Sequence, residues 1–558
     1  MTSGTISGAR FIAETLKGYG VTHVFYVDAI LRKTMVDLEE LGIRRVITHS
    51  EKAAAYMADG YARASHRPGV CMAQSVGAAN LAAGLQDAYL GRSPVVALTG
   101  KKPPALQHRN AYQEIEHAPL FAPVTKFHAD LVSAAQLPFL LRQAFREAVT
   151  GTPGPVHLDL LGHNGRALEL AEVPLPVVVD EAFTSYPPFR PMPEDSAIEW
   201  AARAIIAASR PVIVAGGGVR SSGAAAEVVA LAERRSIPVA TSVNGKGTIL
   251  DRHPLAVGVV GNYSARCANQ VVAEADLVIY IGSNTGDQVT NGWTVPALDT
   301  PVVQIELDPA EVGRSYPNTI PVVGDAKLAV AKLTEALAES ENPTWVQRAQ
   351  QLVAAWRDEI EPLRSSDAVP IRPERLCKEL GEVMPEDALL VVDTGYSAIW
   401  TATMLELRHP SQSYLRAAGS LGWAFPAALG AKCAAPERPV ICFTGDGGFW
   451  YHLSELETAR RYQINTVTVV NNNHGLAQGI PDIHAIYGDR PGNPGELYRF
   501  APVSFARVAE EMGCLGIQVE RPDQIRPALQ HALAAGRPAV VEVITGLEYR
   551  APEPWAPR

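Results

Sequence analysis

The 558 residues amount to several domains at roughly 100 to 200 residues each, and a composition of 47% hydrophobic, 19% charged and 7% aromatic residues belongs to a globular chain with large cores. Lys+Arg 49 against Asp+Glu 59 leaves a net charge of -10, and with no basic run to neutralise a row of phosphates, nucleic acid is excluded as a partner. No stretch approaches the ~20 apolar residues that cross a bilayer, the N-terminus lacks a charged start followed by an apolar core, and the six cysteines contain no Cys-x-x-Cys pair. Membrane, secretory, disulfide and zinc readings fall away, and a cytoplasmic location is expected.

Short Val/Ile-rich runs alternate with Ala-rich amphipathic stretches, punctuated by 45 Gly and 42 Pro. That rhythm predicts α/β architecture with three doubly wound parallel-sheet domains, at 1–180, 190–345 and 365–558. In the first, strands are expected at Val24 to Val27, Val70 to Ala73, Val95 to Leu98 and Val156 to Leu160, with a strand-like RRVITHS ahead of Glu51. From Arg166 to Ala197 the chain turns Pro-rich and aperiodic, the composition of an extended connector. The second domain has strands at Pro211 to Ala215, Val239 to Thr241, Leu277 to Ile281 and Val302 to Leu307. The third has them at Leu389 to Val392, Val440 to Thr444, Thr466 to Val470 and Ala539 to Val543. No internal repeat is evident in the residues.

The segment VICFTGDGGFWYHLSELETARRYQINTVTVVNNNHG carries the chemistry. A buried strand enters Gly445-Asp446-Gly447-Gly448, a helix follows, and the next strand ends at Asn471-Asn472-Asn473. Parallel strands open on one edge, so Asp446 and Asn473 can converge. A carboxylate and an amide oxygen are hard ligands suited to Mg²⁺. Glycines at the start of the following helix let backbone amides approach an anion. A metal-bridged diphosphate is the ligand that fits.

This segment resembles the thiamine diphosphate signature. The resemblance implies Asp446, Asn473 and the carbonyl of Gly475 as Mg²⁺ ligands, with Gly447 and Gly448 at the diphosphate. Glu51, opening the helical KAAAYMADGYARA, matches the glutamate that bonds the aminopyrimidine and activates the cofactor; small and apolar neighbours suit such a carboxyl to proton exchange. GSLGWAFPAALGAKCA (Gly419 to Ala434) is similar to the segment whose bulky apolar side chain, here Leu421 beside Ser420, bends the cofactor. Gly395 and Tyr396 are similarly placed to touch it. The domains then read as pyrimidine-binding, central Rossmann-like and diphosphate-binding.

The likeness spans nearly the whole chain and is closest to the acetohydroxyacid synthase, pyruvate oxidase and 2-hydroxyacyl-CoA lyase group. It implies a thiamine diphosphate-dependent lyase or carboligase, most simply a 2-oxo acid decarboxylase or carboligase of acetolactate synthase type, with 2-hydroxyacyl-CoA cleavage and a noncatalytic binding module as alternatives. It also implies a homodimer or homotetramer with sites between subunits. Tyr112-Gln113-Glu114 matches the stretch whose glutamine, Gln113, reaches the substrate side.

Departures from the group mark the substrate pocket. Tyr26 stands where a glycine is usual, Ser75-Val76-Gly77 shortens a Ser-Gly-Pro-Gly, and Asp482 replaces a pocket tryptophan. The loop from Leu476 to Phe500 is long with few apolar residues, which makes Asp482, His484 and Glu496 candidates for substrate contact. In the middle domain Gly216-x-Gly218 is a poor dinucleotide fingerprint, lacking a third glycine and a ribose-binding acid. The group binds flavin, ADP or nothing there; Asp287-Gln288-Val289 in place of Asp-Arg-Val disfavours flavin and leaves ADP. The tail LEYRAPEPWAPR is a candidate lid.

Overall fold

The computed structural model of the protein describes residues 4–557. Three six-stranded sheets, every ladder parallel, form three successive α/β domains. The first sheet runs Arg44–Ile47, His23–Tyr26, Gly69–Ala73, Val95–Lys101, Val156–Leu161, Phe127–Leu131 across its width. The third runs Ser413–Arg416, Leu389–Val392, Val440–Gly445, Val467–Asn472, Ala539–Ile544, Leu515–Val519. Numbered along each domain, both have the order 2-1-3-4-6-5. The middle sheet, Ala256–Val259, Val239–Thr241, Pro211–Ala215, Leu277–Ile281, Val302–Glu306, Thr319–Val323, has the order 3-2-1-4-5-6 of dinucleotide-binding folds.

The central strands are buried on both faces, as Gly69–Ala73, Pro211–Ala215 and Leu389–Val392 illustrate. Helices cover the two sides of a parallel sheet, so such strands read as unbroken apolar runs. Within the three six-stranded sheets, five strands lie outside the sequence expectation: Phe127–Leu131, Ala256–Val259, Thr319–Val323, Ser413–Arg416 and Leu515–Val519, all at sheet edges. The Pro-rich connector makes specific contacts. Glu172–Pro174 pairs antiparallel with Thr5–Ser7, and Tyr186 is buried with its hydroxyl on the Ala62 carbonyl (3.2 Å), so the segment is docked rather than loose.

The first and third domains meet through helices Glu51–Ser65 and Ala424–Ala434. A methyl at Gly60 would overlap the Ala427 carbonyl, and one at Gly430 would overlap the Met57 carbonyl. Each helix thus gives up one side chain to let the other backbone approach, the requirement that places glycine at a close crossing. Among the described residues no helix is long and apolar enough to cross a membrane.

Candidate functional site

Strands Val440–Gly445 and Val467–Asn472 are neighbours, with Gly445 opposite Asn471, so the turns beyond them lie side by side. Asp446 opens helix Asp446–Trp450 and is almost wholly buried, with Oδ2 unpartnered. The Oδ1 atoms of Asn471 and Asn473 are likewise buried without a hydrogen-bond partner. Burial pushes the Asp446 carboxyl up to about 7, against the pull of backbone amides from Gly447 and Gly475. Stranded oxygens of this kind cost free energy unless a ligand satisfies them. Two amide oxygens and a carboxylate form a hard donor set that suits Mg²⁺ with phosphate oxygens completing the shell. Gly475 backs onto the Tyr498 carbonyl and forms a bridge with Arg499, which fixes the turn after Asn473. A side chain at Gly447 would collide with Leu476, and one at Gly448 with Asp393 and Thr444. A larger residue at either position would have to displace these side chains.

Asp393 braces this end from below. Fully buried, it accepts from the amides of Thr394 (2.8 Å) and Gly422 (3.0 Å) and from the Thr444 hydroxyl (3.0 Å), while burial raises its carboxyl to about 6. Gly395 adopts φ +68° beside the Gln478 amide, and Tyr396 begins the next helix. The half-buried Ser420 and Leu421 belong to a loop that Asp87, from the first domain, holds by three consecutive amides: Ala418 (2.9 Å), Gly419 (3.2 Å) and Ser420 (2.9 Å). Asp87 in turn pairs with Arg63 (3.1 Å), which bonds Asp59, itself the acceptor of the Trp423 indole N–H (2.8 Å). Neither Asp87 nor Gln478 was identified from sequence; NLAAGLQDAYL reads as an ordinary helix, and nothing in it marks its carboxylate as buried.

Glu51 is the first residue of its helix, whose amides Ser50 caps at Ala53 (3.1 Å). Its carboxylate receives the Asn80 amide (3.1 Å) and packs against Gly77, where a Cβ would strike it. Ser75, in the turn ahead of Gly77, donates to the Gln113 carbonyl (2.6 Å). Gln113 has φ +60° and a buried, unpartnered Oε1, while Tyr112 is 79% exposed. Glu51, Ser75 and Gln113 therefore form one cluster. Among the described residues no hydrogen bond joins this cluster to Asp446 or Asn473 of the same chain.

The remaining candidates scatter. Tyr26 is half-buried, its phenol raised by burial and by nearby Tyr462, and it packs against the first-domain core that includes Val24 and Leu31. Residues 476–500 are not a structureless loop: they contain helix Ile480–Tyr487 and short turns at Ala477–Gly479 and Pro494–Leu497. His484 bonds the Tyr498 hydroxyl (3.1 Å) and the exposed Glu496 bonds Asn493 (3.1 Å), so both serve this segment's own folding. Asp482 instead lines a cavity of about 900 Å³ among the three domains.

That cavity is walled by Gly216 to Gly218, of which Gly216 and Gly218 pack on Gly282 so closely that a side chain at either would overlap its backbone. The half-buried Arg220 lines it; desolvation lowers its guanidinium to about 10, it donates to the Tyr414 carbonyl, and among the described residues it has no acidic partner. Arg63, Arg92 and Tyr396 also reach it. Ala551 to Pro554 of the tail form one wall, and Asn269 fixes the Trp555 carbonyl at 2.8 Å.

Comparison with known proteins agrees with this division. Residues 6–120 match the thiamine pyrophosphate enzyme N-terminal TPP binding domain, 198–333 the central domain and 393–543 the C-terminal TPP binding domain. A probable acetolactate synthase large subunit of Methanocaldococcus jannaschii is 35% identical over 97% of this chain and 92% of its own. The acetolactate synthase large subunits of Corynebacterium glutamicum (31%, 97% and 87%) and Lactococcus lactis (29%, 96% and 92%) are similar over comparable spans.

Proposed function

The chain belongs to the thiamine pyrophosphate enzymes, and from that premise we propose that it joins 2-oxo acids by decarboxylation and carboligation, as an acetolactate synthase-like enzyme. One observation carries the cofactor assignment: the buried, unpartnered oxygens of Asp446 and Asn473 at adjacent strand ends, beside two glycines that crowd neighbouring side chains. They and the Gly475 carbonyl are the proposed Mg²⁺ ligands, with Gly447 and Gly448 at the diphosphate. Thiamine diphosphate, when bound, supplies the carbanion chemistry, and the protein supplies orientation and proton handling.

Each residue then has a task. Glu51, oriented by Asn80 and Gly77, exchanges a proton with the aminopyrimidine. Leu421 and Ser420, held by Asp87, shape the cofactor between its rings, with Gly395 and Tyr396 beside them. Gln113 offers its side-chain amide to the substrate. Because, among the described residues, no hydrogen bond within the chain links Glu51 to the Asp446 turn, a homodimer pairing the Glu51 end of one subunit with the Asp446 end of another is proposed to complete the site; the cytoplasm is its proposed location.

The large cavity, with Arg220 unpaired and the tail across one wall, favours an adenine nucleotide such as ADP in the middle domain. It equally supports a second activity, cleavage of a 2-hydroxyacyl-CoA whose nucleotide would rest there. Incubating the enzyme with cofactor and Mg²⁺, first with pyruvate and then with 2-hydroxyacyl-CoAs, separates the two. Carbon dioxide and acetolactate from pyruvate are the expected outcome; an aldehyde released only from the thioesters would replace carboligation by lyase activity, and neither product would refute both.

A further inference from the structure

Beneath the Gln113 turn lies a buried row of imidazoles that the proposed chemistry does not use. His117 Nε2 is 3.0 Å from the Ser75 carbonyl and its Nδ1 is 3.0 Å from Asp159 Oδ1. A carbonyl only accepts, so Nε2 donates. Asp159 Oδ1 also receives the Thr99 hydroxyl (2.8 Å), so the contact with Nδ1 is satisfied only when a proton lies between the two. Having donated to Asp159, Thr99 accepts from His157 Nε2 (2.6 Å), and His157 Nδ1 accepts from His128 Nδ1 (2.8 Å). Burial keeps the His157 imidazole neutral, far below its usual range. The row ends at the half-buried His128, near Asp130 (3.6 Å), which Lys101 also pairs (2.5 Å). These are the titratable groups around His117: Asp159 and His157 on one strand, His128 and Asp130 on the next, Lys101 on a third.

The other end of the row meets the candidate site. His117 grips the carbonyl of Ser75, and the Ser75 hydroxyl grips the carbonyl of Gln113 (2.6 Å). Two residues beyond Ser75, Gly77 packs against Glu51. Gln113 sits in the left-handed region, φ +60°, which a non-glycine residue keeps only when its surroundings hold it there.

We propose that His117 and Ser75 are positioning residues: through them the Asp159 end of the first sheet holds Gln113 in its left-handed conformation, side-chain amide toward substrate, in register with the turn that supports Glu51. The proposal rests on Gln113 meeting the substrate, and its test must separate the two ideas. Hydrogen exchange of residues 109–116 in the full-length protein without cofactor needs no substrate. Loss of one such hydrogen bond in Ser75→Ala is expected to speed exchange there about fivefold. His117→Ala should do the same, and His117→Gln, which keeps an N–H for the Ser75 carbonyl, should restore most of the protection. In the loaded enzyme, Ser75→Ala should raise KM for pyruvate about tenfold with cofactor affinity unchanged, because the substrate side alone is disturbed. Exchange in Ser75→Ala equal to that of the parent would overturn the positioning role even if His117→Ala fails to fold. Faster exchange with unaltered KM would keep the bracing of the turn and remove Gln113 from the substrate.

Discussion

The first and third domains share one strand order and face each other through equivalent helices, each immediately preceding the third strand of its sheet. The turn after that third strand is where they part. In the first domain it is Ser75-Val76-Gly77, whose glycine lets Glu51 lie against the backbone; in the third it is Asp446-Gly447-Gly448, whose carboxylate is buried and unpartnered. One scaffold thus yields two unlike sites: a support for the Glu51 carboxyl, proposed to exchange a proton, and a buried set of oxygens proposed to hold a metal and an anion. The middle domain, with a different order, offers a cavity lined instead by an arginine that has no acidic partner among the described residues. Architecture sets where a site opens, and a few turn residues set its chemistry.

The sharpest way to break that comparison is to disable the two turns separately. Asp446→Ala should abolish Mg²⁺-dependent cofactor binding in calorimetry and cut turnover about 100-fold or more, because it removes a proposed metal ligand. Glu51→Gln should also cut turnover about 100-fold, the usual weight of general acid-base catalysis, yet leave cofactor affinity nearly intact. Equal loss of affinity in both variants would erase the division of labour. At the helix crossing, Gly60→Val and Gly430→Val should each cost about 3 kcal/mol by overpacking, seen as matching falls in Tm. A large effect in only one would mean that the crossing is not reciprocal. In the middle domain, Arg220→Ala should weaken ADP binding about tenfold, the worth of a charge-assisted phosphate contact, while pyruvate turnover changes less.

The smallest expected effect is a pH dependence. Burial and nearby Lys52 depress the His452 imidazole to about 4. Its folded value lies below the unfolded one near 6.5, so its contribution to stability is present above that pH and is lost as pH falls from 6.5 toward 4. Tm should therefore drop less steeply over this window in His452→Gln than in the parent. Identical slopes would remove His452 from the acid sensitivity of the domain contact.

Much of this was legible because some signals are contiguous. Gly445 to Gly448 and Asn473 stand at the ends of buried strands, and a buried strand is an unbroken apolar run. Two edge strands lack that mark: Phe127–Leu131 and Thr319–Val323 each bury only one residue fully, so their residues are mixed and form no apolar run. Helix Ile480–Tyr487 escaped because no residue in it is fully buried and eight residues are too few to establish a period. The repeat of topology between the first and third domains left no trace in the residues, since hydrogen-bonded order is indifferent to side-chain identity. Asp87, His117 and Asp159 were invisible for another reason. Their partners lie 331 to 333 positions away for Asp87, and 42 for His117, and no local pattern encodes contacts at that distance.

The clasp between Asp87 and the amides of residues 418–420 bears on how the protein is made. A chain synthesised from its N-terminus completes Asp87 long before that loop leaves the ribosome, and domains generally fold in that order. The cofactor-side loop is therefore shaped on a surface already assembled by the time it emerges. Reversing the order of the domains by circular permutation would present the loop before its template, so permuted chains should refold to the same structure but accumulate it more slowly during synthesis.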